Sequence, residues 1–178
     1  MTEIRKLRHS DDLFAVSRVY EESWKAAYKG LLPQEYLDHL PAGKWIPLLR
    51  QPGRDSLILL ENNTVIGVSS YCASRTPELS GWGEIISLYL LPSRWGMGYG
   101  RQLFSAVIKQ LEAAGYENLF LWVLENNQKA RHFYEQMGFH PYTTYLDDAI
   151  GGMPVREIQY RRNMAKDTDA PAIRRDTP

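Results

Sequence analysis

The sequence holds a single cysteine, Cys72, among 178 residues, so no disulfide can close within the chain and a thiolate zinc site is excluded. Cys72 lies in the apolar run Thr64 to Ala73, where a small buried core residue is expected. The four histidines, His9, His39, His132 and His140, fall on different segments without metal-ligand spacing, and no metal is expected. Net charge is lacking too. The 21 basic side chains are balanced by 21 acidic ones, which removes any general electrostatic drive toward nucleic acid or an anionic membrane. No apolar run approaches the roughly 20 residues that span a bilayer, and Met1 to Lys6 lacks a signal-peptide core. A small-molecule partner and a cytoplasmic location are the resulting expectations.

What is present is a globular composition, 44% hydrophobic and 24% charged, which argues against disorder and fibrous repeats. Residues 1–164 read as one domain and the polar stretch 165–178 as a frayed tail. Glu3 to Arg8 reads as a strand. Ser10 suits the N-cap of a helix through Leu13, Val16, Val19, Tyr20 and Trp24 that ends near Gly30. A short helix, Gln34 to Leu40, follows Pro33, and Pro41 to Pro52 reads as an irregular, aromatic-rich connection. Asp55 to Glu61 and Thr64 to Ala73 form a hairpin about Asn62-Asn63. Trp82 to Leu91 is a third strand in this part of the chain.

Leu103, Phe104, Val107, Ile108 and Leu111 line one face of a helix stopped by Gly115. Asn118 to Leu124, apolar on both faces, reads as a central strand. A helix spans Asn127 to Met137. Two strands close the chain, Tyr142 to Leu146 and Val155 to Arg161, with Asp147 to Pro154 as a loop. This order predicts an α/β (α+β) fold, a mixed sheet of about seven strands flanked by about four helices.

The segment Trp95-Gly96-Met97-Gly98-Tyr99-Gly100-Arg101 stands between a strand and the start of a strong amphipathic helix. Unpaired amides at a helix start favour an anion, and residues without Cβ let a diphosphate approach the backbone. The alternative is a structural turn that needs positive φ. Spacing removes two rival phosphate motifs. The dinucleotide pattern would need glycine where Arg101 or Leu103 stands, and no Gly-Lys-Ser/Thr of a P-loop is present.

These glycines resemble the signature Gln/Arg-x-x-Gly-x-Gly/Ala of the GNAT superfamily of N-acetyltransferases, matched at Gly98 and Gly100. The first position departs, because Trp95 occupies it and Arg94 is one residue early. A second segment, Asn127-x-x-Ala130-x-x-Phe133-Tyr134-Glu135-x-x-Gly138-Phe139, is similar to the family's other cofactor segment.

The resemblance implies a mostly antiparallel sheet and acetyl-CoA as cosubstrate. Backbone groups of Leu88, Tyr89 and Leu90 would pair with the pantetheine arm as an added strand would. The amides of Gly96, Met97, Gly98, Tyr99, Gly100 and Arg101 would hold the diphosphate, and Asn127 would contact the same arm while also capping a helix. Lys129 and Arg131 are either phosphate contacts or members of a solvated helix face.

Transfer to an amine requires that an ammonium lose a proton and that the departing sulfur gain one. By the resemblance Tyr134 is the acid, and Glu84, expected to share a face with Ile86 and Leu88, is a candidate base. Structural readings stand beside both: Tyr134 as core, Glu84 as a solvated strand-end carboxylate. Trp24, Tyr28, Tyr71 and Tyr145 are candidates for the acceptor wall through cation–π attraction, and Asp147-Asp148 would favour a cationic acceptor. The resulting expectation is acetyl transfer to a small or polyamine-like amine, by direct attack in a ternary complex. A peptide N-terminus is the alternative acceptor, and a non-catalytic acyl-CoA sensor the alternative of another class. Monomer and homodimer both remain open.

Overall fold

The structure is a computed structural model that describes residues 1–163, and the expected tail at 165–178 lies outside the described residues. Seven strands form one sheet: β1 Thr2–Lys6, β2 Arg54–Glu61, β3 Thr64–Ala73, β4 Gly83–Leu90, β5 Asn118–Leu124, β6 His140–Ile150 and β7 Met153–Asn163. Their order is β1-β2-β3-β4-β5-β7-β6. Only β4 and β5 pair in parallel; the other neighbours are antiparallel. The α-helices are α1 Leu13–Ala27, α2 Gln34–Asp38, α3 Ile46–Leu49, α4 Tyr99–Ala113 and α5 Gln128–Gln136. One of them, α3, lies in the stretch expected to be irregular, anchored by buried Leu49.

Local chemistry sets the element ends. Helix α1 begins later than Ser10 suggests, because the Asp12 carboxylate accepts from the amides of Phe14 at 2.9 Å and Ala15 at 3.2 Å, satisfying two orphan donors. Asn62 and Asn63 take φ of 50° and 65° and close the β2–β3 hairpin as expected. Gly151 and Gly152, at φ of 58° and 78°, do the same between β6 and β7. The expected loop from Asp147 to Pro154 is therefore a continuous hairpin, since two successive left-handed residues are what a two-residue turn requires. Pro154 is tolerated there because β5 pairs with β7 only from Glu157 onward.

The two faces of the sheet carry different helices. On one, α4 buries Leu103, Phe104, Val107, Ile108 and Leu111, each contributing about 1.5–3 kcal/mol relative to exposure. Helix α5 lies beside it, with the rings of Phe133, Tyr134 and Phe139 around Phe104 at centroid distances of 5.5–5.6 Å. On the other face α1 buries Val16, Val19 and Tyr20. The Tyr20 hydroxyl bonds to Ser70 Oγ at 2.9 Å and Ser87 Oγ at 3.0 Å, and Ser56 Oγ joins Ser70 at 2.8 Å. Cys72 is half-buried on β3 rather than sunk in the core, and burial pushes its thiol pKa up.

Two irregularities shape the centre. The parallel β4–β5 ladder runs only over Gly83, Glu84 and Ile85 against Leu119, Phe120 and Leu121, so the two strands part toward their C-terminal ends. In β4 the register slips between Ser70↔Ser87 and Tyr71↔Ile85, leaving Ile86 as a bulged residue. The extra residue reverses the alternation. Glu84 and, beyond the bulge, Ser87 and Tyr89 face α1, whereas Leu88 and Leu90 face α4, so Glu84 and Leu88 do not share a face as the uninterrupted pattern predicts.

Candidate active site

The gap where β4 and β5 part leaves the edge of β4 from Ile86 to Leu90 without a strand partner on the β5 side. Unpaired strand amides and carbonyls can take an extended, amide-bearing ligand as an added strand. Of the three expected backbone sites, Leu88 and Leu90 turn their backbone groups to this edge, whereas Tyr89, two residues before Leu91 whose amide donates to Ile66 on β3, turns its own toward β3. The Leu90 carbonyl is already satisfied, accepting from Ser23 Oγ at 2.5 Å and from Trp95 Nε1 at 2.9 Å.

At the end of this edge the chain turns into α4. Gly96 and Gly98 adopt φ of 75° and 80°, and a Cβ added at either would meet open space. Gly98 is the helix N-cap, and no side chain caps the amides that follow. None of the amides from Gly96 to Arg101 donates to a described residue. Orphan amides at the N-terminus of a 15-residue helix, with glycines that keep the surface bare, fit a diphosphate. Gly100 has a different task, since a Cβ there would lie 3.3 Å from Leu90 Cδ1 and 3.7 Å from Phe133 Cε2. It lets α4 close against β4 and α5.

The flanks are ordered by ion pairs. Arg94 donates to Glu61 at 2.8 Å and the Tyr99 hydroxyl donates to the same carboxylate at 2.9 Å. Trp95, at the departing signature position, carries Lys129 Nζ 4.1 Å above its ring, which leaves this cation near the turn. Arg131 is committed elsewhere, to the Tyr160 hydroxyl at 3.0 Å and the Glu125 carbonyl at 2.9 Å. Met97 is 59% exposed beside the glycines. Asn127 Oδ1 caps α5 by accepting from the Ala130 amide at 3.1 Å, and its amide nitrogen has no partner among the described residues.

Three phenols meet at the gap. Tyr134 reaches in from α5, Tyr89 from β4 and Tyr28 from the end of α1, with Tyr28 Oη and Tyr89 Oη 3.2 Å apart. Burial is the main cause that raises all three pKa values; Tyr28 and Tyr134 add to the rise at Tyr89, and Tyr28 adds to that at Tyr134. Among the described residues the Tyr134 hydroxyl has no hydrogen-bond partner. It is protonated at neutral pH and free to donate.

Glu84 is differently placed. It is 2% exposed, and its Oε2 accepts from the Arg75 amide and Arg75 Nε, both at 3.1 Å, while Oε1 accepts from the guanidinium at 2.6 Å. This carboxylate is the anchor of a bidentate ion pair that fixes the β3–β4 connection.

The aromatic candidates divide. Trp24 packs edge-on to Tyr28 at 4.8 Å, and its buried indole nitrogen has no partner among the described residues. Tyr71 is 4% exposed and, by alternation from Ser70, lies on the α4 face, away from Tyr28. Tyr145 also faces away, under the Arg156 guanidinium at 5.4 Å from its ring. The acidic pair divides in the same manner: Asp147 is ion-paired to Arg156 at 2.7 Å, and Asp148 lies on the opposite face. A cleft of about 330 Å³ near the gap is lined by Leu31, Leu124, Asn126, Asp148 and Val155 among others. Arg75 and Glu157, which the sequence reading missed, belong to this face.

No helix among the described residues is long and apolar enough to cross a membrane, and no group of three or more His, Cys, Asp or Glu among them could hold a metal.

Comparison with known proteins agrees with this geometry. The sequence profile described as "Acetyltransferase (GNAT) family" matches residues 16–139. The chain is 26% identical over 167 residues to a spermidine N(1)-acetyltransferase of Thermoplasma acidophilum, covering 89% of this chain and 97% of that protein. It is 35% identical over 85 residues to the [ribosomal protein bS18]-alanine N-acetyltransferase of Haemophilus influenzae, covering 48% of this chain and 54% of that one. Its fold matches the PaiA N-acetyltransferase of Thermoplasma acidophilum, solved with coenzyme A, at a TM-score of 0.72 and 23% identity, over 92% of this chain and 99% of the other. The chain belongs to the GNAT family of acetyltransferases.

Proposed function

We propose that the protein acetylates a small, cationic primary amine, using acetyl-CoA bound along the β4 edge and the glycine turn. The observation that carries this reading is the Tyr134 hydroxyl at the β4–β5 gap, which has no partner among the described residues, together with a helix N-terminus whose first amides donate to none of them. Acetyl-CoA supplies an acetyl group activated as a thioester. The amides of Gly96 to Arg101 would hold its diphosphate, the Leu88 backbone its pantetheine arm, and Asn127 the same arm through an amide nitrogen that has no partner among the described residues. Tyr134 Oη donates the proton that the departing sulfur requires. Burial keeps that proton in place until the leaving group needs it. Separate acceptor and cosubstrate sides of the gap favour direct attack in a ternary complex.

The acceptor side is the α1 face, where Tyr28 and Trp24 offer aromatic surface and Asp148 and Glu157 offer negative charge. That combination suits an ammonium. The resemblance to a spermidine acetyltransferase over nearly the whole chain supports a polyamine-like acceptor ahead of a peptide N-terminus.

The test is thiol release from acetyl-CoA across polyamines, amino acids, aminoglycosides and short peptides. Turnover confined to cationic small amines is expected. Turnover confined to peptides would replace the acceptor, and tight acetyl-CoA binding without any release would identify a sensor.

A further inference from the structure

Glu157 stands on β7 opposite Leu124, the last residue of β5, at the end of the sheet where β4 and β5 have parted. By alternation with Gln159 and Arg161, which bond to each other at 2.6 Å, it faces α1. Three charged or titratable neighbours face it from three elements: Tyr28 at the end of α1, Arg75 in the β3–β4 connection and Asp148 on β6. It is half-buried. Yet its carboxylate has no hydrogen bond or ion pair among the described residues, for the one guanidinium near it, that of Arg75, is bound to Glu84.

A carboxylate drawn out of water without a partner is costly, and an arriving cation removes that cost. Tyr28 links this carboxylate to the catalytic side, since its hydroxyl meets that of Tyr89 and it interacts electrostatically with both Glu157 and Tyr134. Resting on the acetyltransferase reading above, we infer that Glu157 receives the acceptor's ammonium and takes the proton which that nitrogen must lose before it attacks. Glu84 is then a positioning residue that holds Arg75.

The protons balance. The ammonium gives one proton to a Glu157 oxygen, which later passes it to solvent. The freed lone pair forms the C–N bond as the thioester C–S bond breaks. Tyr134 gives its proton to sulfur and recovers one from the acylated nitrogen, so one proton is released per amide formed. Burial, and then Asp148, raise the Glu157 carboxyl pKa above its ordinary value, with Arg75 opposing, and a carboxylate of raised pKa is the better proton acceptor.

The experiment compares wild type, Glu157→Gln and Glu157→Asp with acetyl-CoA and spermidine. It measures kcat/KM from thiol release, acetyl-CoA affinity by calorimetry, and the spermidine-induced shift in Tm in the presence of coenzyme A. The Gln variant is expected to lose about 100-fold or more in kcat/KM and to lose the spermidine shift, with acetyl-CoA affinity unchanged; the Asp variant should fall between. A Gln variant with wild-type kcat/KM and shift overturns the assignment and leaves the acetyltransferase reading intact. Wild type that binds acetyl-CoA and releases no thiol with any amine overturns that reading and the assignment together. Should the Gln variant not fold, the wild-type pH profile decides: kcat/KM must fall on the acid side through an ionisation above the ordinary glutamate range, and a flat acid side overturns the assignment.

Discussion

Tyr134 presents a half-buried phenol with no partner among the described residues, held against Phe104 by the packing of α5 on α4. Replacing it with Phe removes one hydroxyl and little packing. Tyr134→Phe should therefore lower kcat about 100-fold or more while acetyl-CoA affinity, read by calorimetry, is unchanged. Glu157 makes the opposite kind of prediction, about stability. Its folded-state pKa is raised, so between the ordinary glutamate value and the raised one the folded state binds the extra proton. Stability then falls as pH rises through that window. Glu157→Gln should raise Tm at pH 7 relative to wild type, and the difference should disappear as pH falls below the ordinary glutamate range, where wild type becomes protonated in both states.

Residues of this kind differ in legibility. Tyr134 and Asn127 stand out as candidates in the sequence because one motif spans them, at the cap of one helix and about two turns into it. Glu157 does not, because its meaning depends on which strand it opposes and on where the neighbouring strands part.

At the scale of elements, the turn into α4 is the clearest case of sequence dictating geometry. Gly98 caps the helix at φ 80°, and a side chain in that conformation costs about 1–2 kcal/mol. Gly98→Ala should lower stability by about that amount and weaken acetyl-CoA binding, since the amides it aims would be displaced; thermal unfolding and calorimetry check both. The same preference made Asn62-Asn63 legible, and it made Gly151-Gly152 misleading, because a pair of glycines marks a loop and a tight hairpin equally well.

The bulge at Ile86 was hidden for a different reason. Period-two alternation continues through the sequence, and only the pairing with Ser70 and Tyr71 shows that one residue is extra. Its consequence is the Arg75–Glu84 pair on the α1 face. Arg75→Ala leaves a buried carboxylate without its guanidinium donors and with only the residue-75 amide, which should cost about 1–3 kcal/mol, measured as a lower midpoint of urea unfolding at pH 7.

Over the whole molecule, the order of strands and helices was readable because apolar periodicity and breakers mark each element, and the central place of β5 followed from its two apolar faces. The parting of β4 and β5 was not, since no residue announces the end of a ladder. Yet that parting brings the proposed functional parts together. The α4 side supplies the glycine turn and Tyr134, the α1 side supplies Tyr28 and Glu157, and the gap is the passage between them.

The most direct measurement is mass spectrometry of spermidine after incubation with acetyl-CoA and either wild type or Tyr134→Phe. Wild type should yield the monoacetylated amine, and the variant, binding acetyl-CoA equally well, should yield almost none in the same time. Wild-type protein that binds acetyl-CoA yet leaves spermidine and every other cationic amine unmodified would contradict the account.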